Sequence, residues 1–259
     1  MRAPPAHRAV LPVGGHESGR DVPGIGAVAA AGRELSTALR ERPRAVAVPL
    51  TLGRDLGLAP AAAQTLAWAA RDRTPGDLLL AEPLGTLTHL VGWIRAAVTR
   101  VLRGGDFRGA VLLVAPAGGP EADAELFKVA RLVRQYLPVR WVEVALDGGE
   151  PGVAEGVARC HRLGAGEVAL VPAALVPPPR CAGASEATGP LLGPAALAAL
   201  IRERAAEAER RWDRDGDDGL TVAHSHGAIH HHHSSEFPKF PEFPEFRKTM
   251  LKGAAAHGG

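Results

Sequence analysis

Residues 9–18 read AVLPVGGHES: an unbroken apolar run enters two glycines and then sets a histidine beside a glutamate, His16 and Glu17. The apolar residues 9–13, bounded by a turn signal, read as a buried strand. Gly14 and Gly15 allow a tight turn where a side chain would clash or φ must be positive. The same strand text returns at residues 110–119 as AVLLVAPAGG, with Ala117-Gly118 in place of His-Glu. The chain is therefore read as a duplicated α/β protein whose chemistry sits in its first half.

Further apolar runs predict strands at 45–52, 77–81, 110–115, 139–146 and 167–175. Segments with apolar residues at helical spacing predict helices at 24–42, 59–72, 89–103, 123–136, 152–163 and 194–212. The strand AVAVPLTL matches EVALVPAAL down to a shared Val-Pro, at 48–49 and at 171–172. Pro83, Leu84, Ile94 and Arg95 are mirrored by Pro190, Leu191, Ile201 and Arg202. Strands alternating with helices over short connections predict parallel sheets flanked by helices. The expected domains span 9–103 and 109–212, and the first half is expected to lack the strand–helix pair that the second carries at 139–163.

Composition narrows the function classes. The 259 residues are 46% hydrophobic and 22% charged with a formal net charge of +2, and arginine is scattered rather than clustered. No basic face is evident, which argues against nucleic-acid binding. Cys160 and Cys181 show no CxxC spacing, so neither a disulfide scaffold nor an iron–sulfur site is expected. No apolar run reaches the roughly 18 residues that span a bilayer, and residues 1–10 lack a signal-peptide core, so a cytoplasmic protein off the membrane is expected.

From residue 213 the character changes to WDRDGDDG, HSHGAIHHHHSS and EFPKFPEFPEF. Low complexity and alternating Phe-Pro read residues 213–259 as a disordered tail. Its His224, His226, His230, His231, His232 and His233 form a metal-binding composition, read as a reservoir or delivery arm for Ni, Co or Zn. The glycine pairs make neither GxGxxG nor a Walker pattern, so no nucleotide is expected. GHES is not GxSxG, which leaves Ser18 without the frame of a hydrolase nucleophile.

His16 is placed just past a strand's carboxyl end, where open α/β sheets bind ligands. A neutral imidazole there can ligate a borderline divalent cation or accept a proton, and Glu17 can assist either step. The strand–GGHES–helix text, the Val-Pro strand, the Pro-Leu-Gly turn and the tandem repeat together resemble the CbiX/SirB-type sirohydrochlorin chelatases over about residues 9–212. These are class II, ATP-independent chelatases. The resemblance implies two tandem chelatase-like α/β domains with a tetrapyrrole between them, and His16 as an active-site residue.

It further implies insertion of a divalent metal, Co²⁺ first and Fe²⁺ or Ni²⁺ next, into sirohydrochlorin or a related ring, in cobalamin or siroheme synthesis. Catalysis is expected from His16 and Glu17. Arg20, Arg54 and His89 are candidates to meet the substrate, with Arg95 a further arginine able to pair with its carboxylates. A homodimer is the candidate assembly. The family's usual second histidine, after the Val-Pro strand, is absent: Leu52-Gly53-Arg54-Asp55 stands there. The alternative is a degenerate chelatase-like protein that binds and delivers metal or tetrapyrrole without turnover.

Overall fold

Short runs of Ala, Val and Leu with no polar interruption become strands buried on both faces, as parallel sheets require. The computed structural model describes residues 7–22, 24–103, 107–184 and 188–221. The first half runs β1 (Ala9–Gly14), β2 (Asp21–Val22), β3 (Gly26–Ala27), β4 (Ala29–Ala30), α1 (Arg33–Glu41), β5 (Ala45–Pro49), α2 (Leu58–Ala69), β6 (Leu78–Leu80) and α3 (Leu87–Arg103). The second runs β7 (Ala110–Pro116), α4 (Pro120–Gln135), β8 (Trp141–Asp147), α5 (Val153–Arg162), β9 (Val168–Pro172) and α6 (Pro194–Asp215). One sheet has the order β4-β1-β5-β6 and the other β8-β7-β9, and every pair within them is parallel. The α/β architecture with helix-flanked parallel sheets is as expected.

The duplication extends to individual hydrogen bonds. Ala9 N donates to Arg44 O and Ala110 N donates to Glu167 O; Leu50 N donates to Val13 O and Ala173 N to Val114 O. Thus β1 and β7 occupy equivalent central places. Their sequences differ at Pro12 and Leu113, and the sheet explains why. Alternate residues of a parallel strand bond to opposite neighbours; with Ala9 and Val13 turned to β5, Pro12 faces the β4 side. There β4 pairs only with Val13 and Gly14, so a residue without an N–H costs no ladder bond. Leu113 instead lies beside Val144 in a full-length pairing with β8.

Two expectations about the first half are corrected. The helix predicted over 24–42 begins only at Arg33, because Gly24, Gly26 and Gly32 have φ of 79°, 120° and 90°, outside helical space. The hairpin of β2 and β3 occupies that stretch instead. Nor does the first half lack a strand–helix pair: β4 and α1 stand where β8 and α5 stand in the second half. The strand is cut to two residues, Ala29 and Ala30. What has no first-half counterpart is α4, replaced by the hairpin.

The halves exchange their closing helices. Helix α3 packs on β9 and α4, whereas α6 packs on β5 and β6. One core therefore joins Val48, Leu79 and Ile94 of the first half to Leu113, Val144 and Ile201 of the second. Separate clusters line the outer faces, Leu35, Leu39 and Leu66 on one and Val157 and Cys160 on the other. Arg211 fixes the exchange by donating from Nη2 to Leu80 O at 2.6 Å. Each fully buried Leu in this interior contributes roughly 1.5–3 kcal/mol. No helix among the described residues is long and apolar enough to cross a membrane.

Candidate functional site

The carboxyl ends of β1 and β5 converge because the two strands are adjacent and parallel in the sheet. After β1 the chain turns tightly, Ser18 N donating to Gly15 O at 3.3 Å, and this turn presents His16. After β5 the loop through Thr51 and Arg54 presents Asp55. His16 Nδ1 and Asp55 Oδ2 stand 3.3 Å apart, with both side chains largely buried. The hydrogen bond from His16 holds the Asp55 carboxyl below its ordinary range, against the opposing effect of burial.

A carboxylate only accepts, so the neutral imidazole facing it carries its proton on Nδ1 and leaves a lone pair on Nε2. That Nε2 is buried without a hydrogen-bond partner. Two glycines make the arrangement fit. A methyl on Gly15 would overlap the Asp55 carboxylate, and one on Gly118 would overlap His16 Nε2, with Cδ2 and Cε1 only 2.7 Å away. Gly118 is the repeat counterpart of Glu17, so the second copy supplies a wall where the first supplies a side chain.

Glu17 is fully buried. Its Oε2 accepts from Thr51 Oγ1, from Leu52 N at 3.0 Å and from Asp55 N at 3.1 Å, while its backbone O accepts from Leu175 N at 2.9 Å. The carboxylate thereby ties the loop that carries Asp55 to the turn that carries His16. Arg54 is likewise buried, and its guanidinium reaches the second half. Nε donates to Ala122 O at 3.0 Å, and Nη2 donates to Pro116 O at 3.3 Å and Asp123 Oδ1 at 3.2 Å. Burial lowers the Arg54 pKa, opposed by the charges of Glu17 and Asp123. The cation is compensated rather than isolated, as a buried charge must be.

The other expected residues are engaged elsewhere. Arg20 is exposed and pairs with Glu34 at 3.3 Å. His89 closes a capping box at the start of α3: Thr86 N donates to its Nδ1 at 3.2 Å, and His89 N donates to Thr86 Oγ1 at 3.5 Å. Its ring stacks on Trp93 with centroids 5.7 Å apart. Arg95 lies over the Tyr136 ring, 5.0 Å from its centroid. His224, His226, His230, His231, His232 and His233 lie outside the described residues. Among the described residues no group of three or more His, Cys, Asp or Glu is placed to hold a metal ion.

Thus His16, Glu17 and Arg54 are brought together, joined by Asp55, Thr51, Gly118 and Asp123. None of these four stands out in the sequence as a site residue. Asp55 carried a usable signal, a carboxylate in the loop after the strand next to β1; Gly118 and Asp123 carried none, because the other half presents them.

No family model and no curated protein matches the sequence. Among solved structures, the chain is similar to SirB from Bacillus subtilis with Fe³⁺, at 16% identity over 79% of this chain and 98% of that one, TM-score 0.49. It is similar also to the sirohydrochlorin chelatase SirB from Bacillus subtilis subspecies spizizenii in complex with cobalt, at 14% identity over 82% and 99%, TM-score 0.44. A third likeness is to a multi-domain protein of Deinococcus radiodurans described as structurally similar to chelatases, at 20% identity, TM-score 0.39. This chain spans 48% of that third protein.

Proposed function

We propose that this chain inserts a divalent cation, Co²⁺ first and Fe²⁺ or Ni²⁺ next, into sirohydrochlorin or a related tetrapyrrole in the cytoplasm, without a nucleotide. The carrying observation is the His16 imidazole, bound through Nδ1 to Asp55 and left with a buried, unpartnered Nε2. Insertion releases two pyrrole protons and strips water from the cation. A neutral Nε2 can take one such proton or ligate the incoming cation, and Asp55 fixes the tautomer and the orientation of the ring. Glu17 acts on the imidazole at one remove, by holding Thr51 and Asp55 in place. Arg54 serves the protein's own carboxylates; Arg20, exposed and paired with Glu34, would have to leave that partner to meet a substrate carboxylate. The tail histidines would raise the local metal concentration.

The second reading, binding and delivery without turnover, is favoured by the absence of a histidine after the Val-Pro strand, where Leu52-Gly53-Arg54-Asp55 stands. Absorbance of sirohydrochlorin with Co²⁺ separates the two. Turnover predicts an accelerated spectral change that His16→Ala abolishes. If wild type and His16→Ala both follow the uncatalysed rate, the protein is no chelatase for this pair. Replacing the tail histidines by alanine should slow the reaction only at limiting metal.

A further inference from the structure

We infer that Asp123, contributed by the second half, is a positioning residue for the His16 imidazole; this rests on the reading of His16 given above. Asp123 lies in the first turn of α4. Its Oδ1 accepts from Gly118 N at 3.0 Å and from Arg54 Nη2 at 3.2 Å.

Those two donors belong to the two holders of the ring. Gly118 is the surface against which Nε2 rests. Arg54 is the chain neighbour of Asp55, which binds Nδ1. Asp123 therefore closes a circuit running from Gly118 through its own carboxylate to Arg54, on to Asp55, and across the imidazole back to Gly118. The remaining bonds of Arg54, to Pro116 O and Ala122 O, end on the same second-half segment.

The physical consequence is specific. Without an acceptor at 123, Gly118 N loses its bond and the buried guanidinium loses its nearest counter-charge. The 116–119 turn can then draw back from the ring. Asp123 sets how tightly Nε2 is covered, and with it the orientation in which the lone pair meets a cation. The second copy, having no His-Glu of its own, keeps a part in the site through this carboxylate.

The test is residue-resolved acylation of imidazoles by diethylpyrocarbonate on the full chain, mapped by mass spectrometry, with exposed His89 as the internal reference. In wild type His16 should react slowly. Asp123→Ala should raise His16 reactivity about tenfold relative to His89 and lower the metal-insertion rate by about the same factor, the scale on which outer-shell partners of a histidine act. Asp123→Asn retains an acceptor oxygen and should restore most of both. Equal His16 reactivity in all three proteins overturns the inference. If Asp123→Ala does not fold, Asp123→Glu displaces the carboxylate while keeping its charge. Raised His16 reactivity there supports the inference and wild-type reactivity overturns it. If His16 reactivity follows residue 123 but His16→Ala leaves insertion unchanged, the chelatase reading fails and the positioning role stands. If His16→Ala abolishes insertion and the Asp123 variants change nothing, the reverse holds.

Discussion

The Cα of Gly118 rests against the imidazole of His16, so that any side chain at 118 would occupy the space of Nε2. A residue from one repeat thus sets the steric limit on a side chain of the other. Gly118→Ala must push the ring off Asp55 or displace the 116–119 turn. The expected result is a loss of metal insertion of about tenfold or more, with a melting temperature close to wild type because the methyl can be accommodated by loop movement. A variant with wild-type rate would show that the ring's position does not matter to activity.

Asp55 makes the complementary contact. Asp55→Asn keeps the shape but lets the amide present either a donor or an acceptor to Nδ1, freeing the imidazole to adopt the other tautomer. Co²⁺ affinity and insertion rate are expected to fall about 10–100-fold. Titration calorimetry alongside the absorbance assay checks both, with tail histidines replaced so that only the buried site is read.

Arg54 is expected to matter for stability more than for chemistry. Arg54→Ala leaves Glu17 and Asp123 without their shared cation in a buried place, a class of change that costs about 3–5 kcal/mol. Arg54→Lys should recover little of this, since one ammonium cannot reach the Ala122, Pro116 and Asp123 acceptors together. Urea midpoints of the two variants against wild type decide it.

The paired strands give a sharper contrast. Leu113→Pro removes an N–H that faces β8 and should destabilise by about 1–3 kcal/mol, the cost of leaving its buried acceptor unpaired. Pro12→Leu, at the equivalent place where β4 has stopped, should change stability by less than about 1 kcal/mol. Comparable effects at the two sites would contradict the alternation of the ladder.

His161 gives the fold a pH dependence. Its Nε2 lies 2.8 Å from Gly183 O and its Nδ1 2.8 Å from Ala165 O. Both partners only accept, so the doubly protonated ring fits both, and the bonds to Gly183 and Ala165 raise its pKa. A raised folded-state pKa contributes stability that is complete below the unfolded value, about 6.5, and is lost as pH rises through the folded value. Wild type should therefore exceed His161→Gln in urea midpoint at pH 5.5, with the difference shrinking towards pH 8.5. A pH-independent difference would mean the imidazole charge plays no part.

Much of this was legible in the chain. Apolar runs located the principal strands, and the echo of AVLPV in AVLLV announced the duplication, because a strand buried on both faces leaves little freedom in composition. His16 and Glu17 stood out for the same local reason, a polar pair delivered straight after such a strand. The stretch after Val22 misled, since Val28, Leu35 and Leu39 fit a helical period while Gly24, Gly26 and Gly32 adopt backbone angles that no periodicity reveals.

The alternation of strand and helix, the repeat, and the strand end at which His16 is presented are all written in the order of the residues. These follow from local patterns of burial and turn chemistry. It takes the packed chain to show that α3 and α6 change places, that Glu17 holds a loop, that Arg54 is buried against the other repeat, and that Asp55 and Gly118 flank the imidazole. Those relationships join residues far apart in the chain. They are fixed by which surfaces can be buried together and which buried charges must then be paired, and no local pattern in the sequence carries that information.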